Sequence, residues 1–299
     1  MLDVRRLRLL RDLAHLGTIA AVAQAHSYTP SAVSQQLAVL EREAGLPLLE
    51  RTGRRVTLTP AGRILVRHAE AIMADLERAT AALIAARTGL SGPLRIGAFP
   101  TAVRTLLPAA LVALGREHPG LELMVSEMDP AVVPDAVRDR RLDVGLMHDY
   151  DLAPVEPDRA LDAAPLLEET VYLAVPAAAG TAGGTDPIRA ARHAAWIVGT
   201  PGTLCHTVAL RICQTAGFTP QVRHHADDFA TVLALVAAGQ GVALVPQLAA
   251  AQPPAAVRLV PLPTRRRTRI GYRRGAANHP AVAAAIAAIR TSANVYLVQ

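Results

Sequence analysis

The sequence contains no lysine and few aromatic residues. All 31 Lys+Arg positions are arginine, a bias that we attribute to a GC-rich coding sequence and that weakens the meaning of any single arginine. Because aromatic residues make up only 3% of the chain, alanine, valine and leucine must form most of the core. At 299 residues the chain is long enough for two or three domains.

Long apolar runs are also missing. No stretch reaches the roughly 18 consecutive apolar residues that a membrane span needs. The first eight residues include Asp3 and three arginines where an export signal needs an apolar segment. We therefore expect a soluble, cytoplasmic protein with no membrane partner.

The chain has only two cysteines, Cys205 and Cys213, in a pattern that predicts a helix. An intact helix would separate them by about 12 Å, too far for a disulfide. We expect both to be small core residues, with a reactive thiol as the alternative. No cysteine or histidine spacing typical of a metal site is present, so we expect no metal and no cofactor.

Motifs of the common enzyme classes are missing as well. There is no GxSxG sequence, no phosphate-binding loop and no recognisable pair of catalytic carboxylates. Two adjacent histidines, His224 and His225, precede two aspartates, but neighbours on a strand point to opposite faces and cannot easily share one metal. We expect no catalytic residues and no enzymatic activity; a metabolic α/β enzyme remains the remote alternative.

The positive charge is concentrated at the start of the chain. Residues 1–67 contain ten arginines and five acidic residues, whereas residues 68–299 are almost balanced. A compact basic module suits a polyanion such as double-stranded DNA, because each neutralised phosphate releases counterions.

Three helical patterns occupy this basic segment, over residues 4–16, 19–25 and 31–44. Thr18 and Thr29 are suitable N-caps, and Pro30 suits the first position of the third helix. The tight turn between the second and third helices is typical of a helix-turn-helix. The third helix begins with small polar side chains and amides, which can bond to base edges in the major groove.

Arginines around Gly53, followed by a short alternating strand, predict a two-stranded wing that lies along phosphates or the minor groove. The residues that we expect to contact DNA are Thr29, Pro30, Ser31, Ser34, Gln35, Gln36, Arg51, Arg54 and Arg55.

A long helix follows, beginning at Thr59-Pro60 and continuing to about residue 87. Its apolar residues alternate spacings of four and three, which is a heptad pattern: Leu65, Ala69, Ile72, Leu76, Ala79 and Leu83. We expect this seam to form a homodimer through a coiled coil, rather than to pack only on its own domain. A dimer would read the two half-sites of a dyad.

Beyond residues 88–93 the pattern changes to short strands alternating with helices. Strands are expected at 94–98, 121–126, 143–147, 170–175, 196–198, 221–225 and 242–245. This alternation predicts an α/β domain with a mainly parallel sheet. The arginine-rich segment that includes residues 269–273 alternates too, and we expect an exposed edge strand protected by its charge.

The segment from Val4 to Ala86 resembles the LysR-type transcriptional regulators. Residues 30–37 with Leu40-Glu41 resemble that family's recognition helix, and residues 45–51 and 58–62 resemble its wing and the start of its linker helix. Residues 96–98, 106–108 and 239–246 resemble parts of its regulatory domain. Leu49 stands where the family usually has phenylalanine.

The resemblance implies a C-terminal domain of periplasmic-binding-protein type, with two α/β lobes and an effector in the cleft between them. The expected domains are a winged helix-turn-helix at 1–59, a linker helix at 60–88 and a regulatory domain at 89–299. Lobe 1 would span about 93–163 and 269–299, and lobe 2 about 164–268. The implied partners are operator DNA, a small-molecule effector and further copies of the chain in a dimer of dimers; RNA polymerase is left open.

In such a fold the effector meets strand ends and helix N-termini, which suit a carboxylate. The candidate effector residues are Pro100, Thr101, Ala102, Met147, His148, Thr200, Thr203, Asp227 and Phe229. The threonines are the preferred candidates, although Thr101 and Asp227 would also serve as N-caps. A thiol-based redox sensor of the same family is the alternative. Some members of that family carry two cysteines in the helix of the second lobe that here contains Cys205 and Cys213.

Overall fold

The structure, a computed structural model, describes residues 1–52, 55–86, 89–154, 156–178 and 186–297. Its packing divides the chain into two compact units, Met1–Ala86 with Arg273–His279, and Arg87–Tyr272 with Pro280–Gln299. Each unit has a hydrophobic core of its own. Within the described residues no helix is long and apolar enough to cross a membrane.

The first unit contains the predicted helices and the predicted wing. They are α1 (Val4–Leu16), α2 (Ile19–Ala25), α3 (Pro30–Ala44), β1 (Leu49–Thr52), β2 (Arg55–Leu58) and α4 (Pro60–Ala85). β1 and β2 pair antiparallel, with Leu49 opposite Leu58. The expected winged helix-turn-helix with a long following helix is therefore confirmed.

Local capping explains where these helices begin and end. The hydroxyls of Thr18, Thr29 and Thr59 each accept a hydrogen bond from the N–H three residues further along the chain. Gly17 and Gly45 follow α1 and α3 in the left-handed conformation, which glycine adopts without steric cost. Buried leucines of α1 and α3, with Val66 and Ala69 of α4, form one core.

The second unit contains eight strands and seven helices among the residues that the structure describes. The strands are β3 (Ser91–Ala98), β4 (Gly120–Glu127), β5 (Val144–Tyr150), β6 (Leu161–Pro176), β7 (Ala195–Val198), β8 (Gln221–His225), β9 (Ala243–Pro246) and β10 (Val257–Arg273). The helices are α5 (Pro100–Thr105), α6 (Leu107–Glu117), α7 (Val133–Arg138), α8 (Pro187–Ala190), α9 (Leu204–Thr215), α10 (Phe229–Ala237) and α11 (Pro280–Leu297). A short 3-10 turn occupies Gln247–Ala249, and another, Ala276–Asn278, belongs to the first unit.

The strands form a six-stranded sheet in the order β4-β3-β5-β10-β6-β9 and a two-stranded sheet of β7 and β8. β3 is parallel to β4 and β5, and β7 is parallel to β8. β10 runs antiparallel to β5, and β9 antiparallel to β6. The expectation of a mainly parallel sheet therefore holds only for part of the domain.

Two strands connect the two lobes. β6 places Leu166 in the core around α6 and α11, and Leu173 in the core around α9. β10 does the same with Ile270 and Leu262. This arrangement is the expected pair of α/β lobes joined by crossing strands.

The prediction that residues 269–273 form an exposed edge strand is wrong. They end β10, which lies inside the sheet between β5 and β6. Along this strand buried residues alternate with partly exposed arginines, and Arg266 is completely buried. The charge pattern suggested a solvated edge, but one arginine has a buried partner that is distant in sequence.

Candidate DNA interface and effector site

The third helix, α3, presents a polar face on the side opposite its buried residues Val33 and Leu37. Ser31 and Gln35 are exposed, and Ser34 and Gln36 are half-buried. The Ser34 hydroxyl donates to the carbonyl of Pro30 at 2.9 Å, so this serine is partly engaged by its own helix. Gln35 is the exposed amide of this face.

A buried carboxylate holds the turn that precedes α3. Asp12 of α1 accepts a hydrogen bond from Arg11 Nε at 2.8 Å and lies 2.7 Å from Nε2 of His26. His26 is the residue that follows α2. A polar contact from α1 therefore holds the residue that follows α2, at the start of the turn into α3, and sequence reasoning missed it.

The wing has the two predicted strands, which pair antiparallel with Thr52 opposite Arg55. Arg54 lies outside the described residues, as do the side chains of Arg51 and Arg55. Their contacts with DNA remain predictions.

The heptad seam of α4 divides into two halves. Leu65, Ala69 and Ile72 pack on the core of their own unit, and Ala69 is 0% exposed. Leu76 and Leu83 are 45% and 73% exposed, and Ala79 is exposed as well. The seam is therefore most exposed in its C-terminal half, while Leu65 and Ile72 are half-buried, and the role of all six residues in dimerisation remains a prediction.

In the second unit a charged pair is buried where β6 and β10 lie side by side. Arg266 donates through Nε and Nη2 to the Oε2 of Glu169, at 2.9 and 2.7 Å. The other carboxylate oxygen accepts from the backbone N–H of Leu248 at 2.8 Å. The guanidinium also lies over the ring of Phe99, 4.9 Å from its centroid.

Several buried polar atoms beside this pair have no hydrogen-bond partner among the described residues. They are Nη1 of Arg266, both ring nitrogens of His148 and Oγ1 of Thr268. Thr268 lies opposite His148 in the register of β10 and β5. Because buried polar groups are almost always hydrogen-bonded, this cluster has the composition of a site for a polar ligand.

The surroundings set the charges in the cluster. Burial, assisted by the charge of Arg266, holds the pKa of His148 well below 6.5, so this imidazole is neutral at pH 7. Burial is the largest single effect and lowers the pKa of Arg266, but Glu169, Tyr150 and Cys205 together outweigh it, so that the pKa of the guanidinium is raised. The cluster therefore combines a permanent cation, a neutral imidazole and a hydroxyl.

Cys205 lies close to the same cluster. Its Sγ is 3.9 Å from the hydroxyl of Tyr150, and both residues line a cavity of about 30 Å³, which is enough for a single water. Burial raises the pKa of Cys205 and, to about 12, that of Cys213. Both are free thiols on the one helix α9, as the sequence predicted.

The polar second-lobe residues that we expect to bind effector form hydrogen bonds with each other. The N–H and hydroxyl of Thr200 donate to Asp227, at 2.7 and 2.6 Å. The hydroxyl of Thr203 donates to the carbonyl of Thr200 and accepts from the N–H of His206. Phe229 is half-buried against the core that contains α10. The effector role of these residues remains an untested prediction.

The first-lobe candidates are closer to the cluster in the chain. Pro100, Thr101 and Ala102 begin α5 directly after Phe99, whose ring contacts His148 edge-on at 4.6 Å. Thr101 is buried, and Met147 is half-buried next to His148. Sequence reasoning missed the charged pair and Thr268. The sequence pattern that could have revealed Arg266 and Thr268 is the two-residue alternation of the arginine-rich strand.

Two family models match the chain. Residues 4–63 match the bacterial regulatory helix-turn-helix protein of the lysR family, and residues 87–294 match the LysR substrate binding domain. The chain belongs to the LysR family of transcriptional regulators. It is a DNA-binding regulator with an effector-binding domain, and its relatives are regulators, which points away from an enzyme.

Similar proteins share most of the length of this LysR regulator. A probable hydrogen peroxide-inducible genes activator of Mycobacterium avium is 32% identical over 245 residues, 81% of this chain and 77% of that protein. The transcriptional dual regulator GltC of Bacillus subtilis is 29% identical over 249 residues, 82% and 81% of the two chains. A hydrogen peroxide-bound mutant of Corynebacterium glutamicum OxyR shares the fold, with a TM-score of 0.60, 24% identity and coverage of 100% and 94%.

The buried neutral imidazole predicts an acid sensitivity. Below pH 6.5 the unfolded chain binds a proton at His148 that the folded chain does not bind. The free energy of unfolding therefore decreases as the pH is lowered. The loss is about 1.4 kcal/mol for each pH unit below 6.5, until the folded-state pKa is reached. We expect His148→Phe to remove this loss in chemical unfolding between pH 7.5 and 5.5, while the exposed control His193→Gln retains it. Equal acid losses in the wild type and His148→Phe would contradict the assignment.

Proposed function

We propose that this LysR regulator binds a dyad operator in the cytoplasm as a dimer or dimer of dimers, and that a small carboxylate in the cluster around Arg266 controls this binding. The observation that supports it is the set of buried polar atoms without partners on Arg266, His148 and Thr268. Such atoms lower stability when they are left unmatched, so a ligand that pairs with them binds the folded state selectively.

The balance of donors and acceptors favours a carboxylate as the effector. Arg266 Nη1 and the Thr268 hydroxyl are donors, and a neutral His148 supplies one more donor and one acceptor, so donors predominate. A carboxylate accepts several hydrogen bonds, and bonds between charged partners are the stronger kind. The Phe99 ring beside Arg266 offers an apolar wall for the rest of the molecule.

The DNA-binding end needs two copies of the chain. We propose that Leu76, Ala79 and Leu83 meet their counterparts on a second chain, because these apolar residues are exposed at heptad spacing. In this proposal residues 1–59 bind DNA, 60–88 pair the chains and 89–299 bind the effector. The polar face of α3 lies in the major groove and the wing follows the adjacent backbone.

A second candidate function is thiol-based sensing of peroxide. It is favoured by the relative from Mycobacterium avium, which is named for hydrogen peroxide-inducible genes. The Cys205 thiol is held at 3.9 Å from Tyr150, but burial raises its pKa, which suppresses the reactive thiolate. The environment of this thiol therefore supports the effector proposal better.

The effector proposal predicts a ligand-dependent rise in melting temperature. In a thermal-shift screen of small carboxylates, at least one should stabilise the wild type. Thr268→Val keeps the shape of the side chain but removes the hydroxyl, and we expect it to lose most of that shift. Thr291→Val, on the exposed face of α11, should keep it. If Thr203→Ala abolished the shift while Thr268→Val retained it, the effector would lie at the start of α9 and the proposal would be wrong.

A thiol titration distinguishes the two candidate functions. After treatment with a small excess of hydrogen peroxide, we expect the native protein to retain both free thiols, because neither is a thiolate at pH 7. Cys205→Ser should keep the carboxylate-dependent thermal shift. Rapid loss of the Cys205 thiol, together with a change in DNA binding, would favour the peroxide sensor instead.

A further inference from the structure

The amide of Gln36 on α3 is held by an arginine of α1. Arg6 Nε donates to Gln36 Oε1 at 2.9 Å, and Nη1 of the same guanidinium pairs with Glu43. Gln36 and Glu43 are seven residues apart, so they lie on one face of α3. A single guanidinium therefore spans two turns of this helix.

This contact determines which way the amide points. A guanidinium only donates, so the atom facing Arg6 must be the carbonyl oxygen of Gln36, and the amino group points the other way. Among the described residues no partner is found for that amino group. Gln36 thus presents hydrogen-bond donors, while its acceptor is turned towards α1.

We propose that Arg6 makes Gln36 a reader of hydrogen-bond acceptors, and so sets the preferred base at one position of each half-site. A glutamine reads adenine only when its oxygen and nitrogen face the base edge together. With the oxygen turned towards Arg6, the amino group can donate to the two adjacent acceptors O6 and N7 of guanine or to O4 of thymine. Adenine offers it only N7, which lies beside a donor of its own. This inference rests on the proposed function, in which α3 enters the major groove.

The charge of Arg6 supports a positioning role over a phosphate contact. Its guanidinium is neutralised by Glu43, and both side chains are largely shielded, with 24% and 21% exposure. The neighbouring Arg5 is exposed and has no ion pair among the described residues. Arg5 and Arg6 both line a groove of about 610 Å³ beside α1 and α3, so the two arginines form a matched pair for experiment.

The test is selection of binding sites by the full-length protein from a pool of random duplexes. We expect guanine or thymine at one position of each half-site in the wild type, and Gln36→Ala should remove the preference at that position alone. Arg6→Met frees the amide and should shift the same position towards adenine by roughly tenfold. Arg6→Lys, which still only donates, should retain the wild-type base.

Three further variants keep the test decisive. Gln36→Glu keeps the contact with Arg6 but presents an acceptor, so the position should change to cytosine. Arg5→Met should leave every base preference unchanged, weaken all sequences alike and reduce the salt slope by about 1. Arg6→Met combined with Gln36→Ala should select the same sites as Gln36→Ala alone.

Different results would contradict the role of Arg6 and the proposed function. If Gln35→Ala changed a base preference while neither Gln36→Ala nor Arg6→Met did, α3 would still read DNA and the role of Arg6 would be wrong. Adenine at the Gln36 position in the wild type would overturn it as well. If no substitution at Gln35 or Gln36 altered any preference, α3 would not be the recognition helix, and both would fall.

Discussion

The effector domain depends on the buried pairing of Arg266 with Glu169. β6 and β10 run through both lobes, and this pair joins them at the point where they pass between the two cores. A buried ion pair contributes little stability relative to apolar residues of the same size, because both charges lose their hydration. In our proposal its value is geometric: Glu169 fixes two nitrogens of the guanidinium and leaves the third, beside His148 and Thr268, for a carboxylate effector.

In the DNA-binding unit, too, a side chain of one element orients a polar group of another element. Asp12 holds the turn before α3, and Arg6 holds the amide of Gln36. In both units a side chain from one element fixes the orientation of a polar group on another, so that recognition requires little rearrangement. The apolar seam differs, because a heptad pattern does not indicate whether its partner is the same chain or a copy. The seam residues in the first half of α4 pack on their own unit, and those in the second half, Leu76, Ala79 and Leu83, are exposed.

The helix-turn-helix was predictable to within a residue because its signals are local. Thr29-Pro30 and Gly45 mark the ends of α3 without reference to the rest of the fold. β10 was not predictable, since Glu169, the partner that buries Arg266, is 97 residues away in the sequence. When that partner is unknown, a run of arginines predicts a solvent-exposed edge strand. Of the residues in the cluster that we propose as the site, the sequence singled out His148, whereas Arg266 and Thr268 were not expected.

The most direct measurement compares effector binding in Arg266→Met, Glu169→Gln and the double variant. Each single change leaves a polar partner buried and should cost about 3–5 kcal/mol of unfolding free energy, while the double variant should recover most of this loss. If the pair exists to present a donor to a ligand, the recovered double variant will unfold cooperatively yet show no carboxylate-induced rise in melting temperature. A double variant that kept the full carboxylate-dependent shift would contradict the account.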